Sequence, residues 1–221
     1  MKAPIMSILV FAALTLPFGH ASAADTISAS DVIRVAEKDG KVTHEELKVI
    51  AVIGPEATNG LSSSAKTEEL REWARKADDL LTADTKRSKA AVDYFAQYSA
   101  ELYLAQALNN PSFAVRLYAL PAMKNCVTDL SLGVLLSSYE RLIQEQVKLD
   151  GGEHNAAARD IERGLVSMIQ NIMVKHGVKT GNVDDLLVAA REWWKNNADA
   201  VQSQARTTAL RRIETQVTDS P

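Results

Sequence analysis

Histidine, cysteine and paired carboxylates are the residue types here best suited to chemistry, and their spacing decides what they can do. The four histidines are His20, His44, His154 and His176. None stands in the H-x-x-x-H or H-E-x-x-H spacing that aims paired imidazoles from one helix face at a metal. His154 follows a Gly-Gly turn and His176 precedes Gly177, so both read as helix-end residues, His176 where a partly charged ring is favoured. The nucleophile motif G-x-S-x-G and the phosphate loop are absent. Asp78-Asp79 and Asp184-Asp185 are neighbours in sequence, so on a helix they diverge by about 100° and read as solvated faces. Cys126 is the only cysteine, which excludes an intramolecular disulfide. It reads as a small buried hydrophobe in a helix. These patterns predict no catalytic residue and no cofactor.

Aromatic residues offer contact rather than reaction. Beyond residue 23 there are ten, and six fall in one stretch: Tyr94, Phe95, Tyr98, Tyr103, Phe113 and Tyr118. Tyr94 and Tyr98 are four apart and share a helix face; core packing is the first expectation for such a stretch and a ligand platform the second. Trp193 and Trp194 are adjacent and cannot both face one core direction. One is expected inside and the other at an interface, where tryptophan is enriched. Trp193, Trp194, Tyr94, Tyr98 and Arg116 are the expected protein-contact residues.

The elements that must position these residues are helices. Ala, Leu, Glu, Gln, Lys and Arg dominate, and no alternating run of Val, Ile, Thr and aromatics marks a strand. Lys2, the apolar stretch from Ile5 to Phe18 and the small residues Ala21-Ser22-Ala23 form the order of a secretory signal, with cleavage expected before Ala24. The apolar stretch is shorter than the roughly 20 residues that span a bilayer. Cleavage would leave 198 residues with 24 basic and 28 acidic groups. That mild acidity gives no footprint for nucleic acid.

Helix ends are legible. Thr43 with Glu46 forms a capping box, Gly54-Pro55 stops that helix, and the run over 56–66 reads as a linker. Thr67 is expected to cap the next helix. One long helix is expected over 84–108, then a helix opened by Asn110 as N-cap and Pro111 as first helical residue, with Pro121 kinking or ending it. Helices follow over 130–149 and 155–175, then over 183–197 and 200–216 as two pieces. Ile161, Leu165, Met168, Ile169, Ile172 and Met173 step by three and four, a stripe that faces a core. Together these give a signal segment over 1–23, a helical hairpin over 24–60 and a helical array over 61–221. The fold class is all-α: a HEAT-like superhelix or an irregular helical bundle, preceded by a short helical hairpin.

Two motifs carry resemblances. Asn110, Pro111, Val115, Arg116 and Ala119 resemble the opening of the second helix of a HEAT-type repeat, with the helix over 84–108 as its antiparallel mate. The resemblance covers one helical pair and implies that Arg116 reaches back to the inter-repeat turn. Glu37, Asp39, Gly40, Val42 and Glu46 resemble an EF-hand loop, which makes Glu37, Asp39 and Glu46 candidate calcium ligands. Val35 stands at the first ligand position and cannot coordinate. The same stretch is similar to the hairpin of TerB-like domains, and it reads without a metal as a glycine turn followed by a capping box.

The expected function is therefore an exported, periplasmic or secreted, non-enzymatic helical protein that binds a protein partner or acts as a scaffold. A regulatory calcium-binding protein is the alternative, and a cell-envelope hydrolase is third. No partner nucleic acid and no stable membrane insertion after cleavage are expected. Mass spectrometry of the secreted chain should find Ala24 as its first residue. Leu165→Asp or Ile172→Asp should disrupt folding, read as loss of the cooperative thermal transition.

Overall fold

In the computed structural model, residues 34, 40–146, 153–179 and 181–218 are described. The expected signal segment, Glu37 and Asp39 lie outside them. The described chain is all-α: nine α-helices and one 3-10 turn, with no strand among the described residues. No described helix is long and apolar enough to cross a membrane.

Helix α1 (His44–Ile53) starts on the capping box read from sequence. The Thr43 hydroxyl accepts from the Glu46 N–H at 3.2 Å, and the Glu46 carboxylate accepts from the Thr43 N–H at 2.5 Å. Gly54, at φ +82°, ends the helix. A Cβ there would also stand 2.8 Å from Leu102 Cδ1, the movable end of that side chain, so the positive φ is what calls for glycine.

The expected linker is instead helix α2 (Pro55–Ser64), and residue 60 lies inside it. Pro55 suits the first helical turn, where its missing N–H costs nothing. Ala57, Thr58 and Leu61 are buried on one face. The hydroxyls of Ser62, Ser63 and Ser64 donate to carbonyls three or four residues back, so a loop-like composition is held in a helix.

Helix α3 (Glu68–Asp79) has Thr67 at its N-cap, but the hydroxyl makes no capping bond. The expected long helix is two: α4 (Thr85–Gln97), capped by the Asp84 carboxylate, and α5 (Glu101–Ala107). Ser99 breaks it at φ +50°. The Ala100 N–H returns to the Phe95 carbonyl and the Ser99 N–H to that of Ala96, a helix stop in which glycine usually takes the left-handed position.

Helix α6 (Phe113–Lys124) is N-capped at Ser112, not Asn110, and continues past Pro121. Asn110 is instead buried, with its side chain bonding across elements. A 3-10 turn (Asp129–Ser131) leads into α7 (Leu132–Gln146), followed by α8 (Glu153–Lys175). The two expected C-terminal helices are one, α9 (Val183–Thr218). Its 36 residues give about 54 Å of helix.

All six residues of the α8 stripe are buried, where α8 packs on α6, α7 and α9. Helix α9 packs on α7, α8 and the 3-10 turn, and also on α1, so the last helix covers the first described one. Gly133 of α7 lets the Trp194 ring approach: a Cβ there would stand 2.6 Å from Trp194 Nε1. Gly133→Ala should therefore cost about 1–3 kcal/mol by overpacking. Chemical denaturation of the two forms measures this, and an unchanged midpoint would mean that Trp194 is free to move aside.

Candidate functional site

Trp73, fully buried in α3, organises the aromatic stretch although it lies outside it. Phe95, Tyr98, Tyr103 and Tyr94 meet it edge-on, with centroids 4.9, 5.2, 5.5 and 5.9 Å away. Such edge-to-face contacts add to the burial of the rings. Tyr103 stacks on Phe95 and its hydroxyl donates to the Gly54 carbonyl at 2.9 Å, with Thr58 Oγ1 at 2.5 Å. One ring thus ties α5 to the α1–α2 corner.

Tyr94 and Tyr98 form the outer side of this cluster, half-buried, with centroids 5.2 Å apart. The exposed His44 ring lies 4.7 Å from Tyr98. Burial, with the neighbouring Tyr98 hydroxyl and the carboxylates of Glu72 and Glu69, raises the Tyr94 phenol above its ordinary range. The edge presents ring faces and hydroxyls at the end of α4, with the His44 ring of α1 beside them. Sequence reading paired Tyr94 with Tyr98 but missed Trp73 and His44, whose contacts join residues far apart in the chain.

Trp193 and Trp194 belong to a different place, the seam that holds α9. Both are half-buried rather than one inside and one outside. Trp193 stacks on His176 at 4.1 Å, and His176 Nε2 lies 3.0 Å from an Asp129 oxygen in the 3-10 turn. Trp194 lies against Gly133, and Arg191 donates to Glu140 at 2.9 Å. The tryptophans pack the helix seam, a role that adjacency in sequence could not distinguish from contact with a partner.

Arg116 is only 2% exposed, which removes it from any surface. Its Nε donates to the Asn110 carbonyl, and its two terminal nitrogens donate to the Glu145 carboxylate at 2.6 and 3.0 Å. Asn110 continues the network: Nδ2 donates to the Leu80 and Thr82 carbonyls, and Oδ1 accepts from the Ser112 N–H. Asp79, read as solvated, is 1% exposed and is paired with Arg75 and Arg87.

Of the calcium candidates, Glu46 is buried and its carboxylate is engaged in the α1 cap. Among the described residues, no group of three or more His, Cys, Asp or Glu side chains is placed to hold a metal. Cys126 lies just past α6, half-buried, and its thiol is pushed up to about 11 by burial and by the Glu101 carboxylate. That disfavours the reactive thiolate. Glu101 accepts from the N–H groups of Thr128 at 2.7 Å and Ser131 at 3.2 Å, capping the 3-10 turn. Burial raises its carboxyl even so.

No family model matches the chain, and neither a curated protein nor a solved structure does.

Burial alone would raise the Glu145 carboxyl, but hydrogen bonds from Arg116 and Arg141 hold it below its ordinary 4.5. A carboxylate lowered by folding stabilises above its unfolded value, and that share is lost as pH falls through the folded one. Glu145→Gln should therefore flatten part of the acid-side loss of stability below pH 4.5, as read by melts across pH. Glu145→Ala should cost about 3 kcal/mol, the low end for a broken buried pair because Glu145 is partly solvated. Pairing Arg116→Met with Glu145→Leu should recover most of that loss, as read by urea denaturation.

Proposed function

We propose that this chain is an exported, non-enzymatic helical protein that binds a protein partner, using the Tyr94–Tyr98–His44 edge as its contact surface. The observation that carries this reading is the backing of that edge. Partly exposed rings stand in mutual contact on the fully buried Trp73, so they meet a partner with little side-chain entropy left to lose. Tyrosine suits such a role because it offers a large rigid face and a polar tip. The order of charge, apolar run and small residues in 1–23 supports export to the periplasm or medium.

Affinity capture from the cell envelope tests the reading, with wild type compared against His44→Ala and Tyr98→Ala. His44 is exposed, so His44→Ala should melt as wild type does while losing a partner that wild type retains. Tyr98→Ala should lose the same partner. Retention by both variants, with helicity intact, would overturn this choice of surface. Recovery of the chain only in the cytoplasmic fraction, with residues 1–23 attached, would overturn export.

A further inference from the structure

We draw no further inference here: the strongest candidate, the Tyr94–Tyr98–His44 aromatic edge beside α3, belongs to the surface already described, and because its neighbouring carboxylates Glu45 and Glu72 are neutralised by Lys48 and Arg75, nothing in the structure shows what chemistry covers it.

Discussion

The buried Asn110 amide fixes where three helix ends meet. It has no access to water, so every polar group it carries must find a partner inside the protein. Its nitrogen takes the carbonyls that end α3 and the turn after it, its oxygen takes the N–H that starts α6, and its backbone carbonyl takes Arg116. Arg116 then carries the connection to Glu145 on α7. A charge this deeply buried is tolerable because the pairing with Glu145 is bidentate and Nε–H is bonded as well. The result is a polar chain running through an apolar array, and it sets the placement of four helices more sharply than burial alone would.

The aromatic cluster does the corresponding work on the other side. Trp73 supplies the shape, and Tyr103 supplies direction through its hydroxyl at the α1–α2 corner. Together the two networks leave Tyr94 and Tyr98 held from behind with their outer sides open, which is why the proposed contact lies there. The tryptophan pair of α9, a sequence-level candidate for the same role, is used in closing the helix seam.

Local signals were legible where the physics is local. The Thr43–Glu46 box and the α8 stripe depend on residues three or four apart, and both stand as read. Ser62-Ser63-Ser64 misled because serine can satisfy its hydroxyl on the preceding turn and remain helical. Asn197 misled in the same way: its side chain donates to the Trp193 carbonyl, and α9 runs on without a break. Ser99 hid a helix stop that glycine would have advertised. The site was less legible than the fold. Trp73, Asp79, Glu145 and Asp129 gain their meaning from partners on other helices, and a single sequence shows no such pairs.

Because α9 lies on α1 as well as on α7 and α8, the chain closes on itself. Contacts between the first described helix and the last join segments far apart in sequence, the kind of pairing that slows folding. Helix α1 buries Leu47, Val49, Ile50, Ala51 and Ile53 and keeps His44 exposed, and α9 supplies part of its cover. Displacing α9 would therefore uncover part of a helix that lies more than a hundred residues away in the chain.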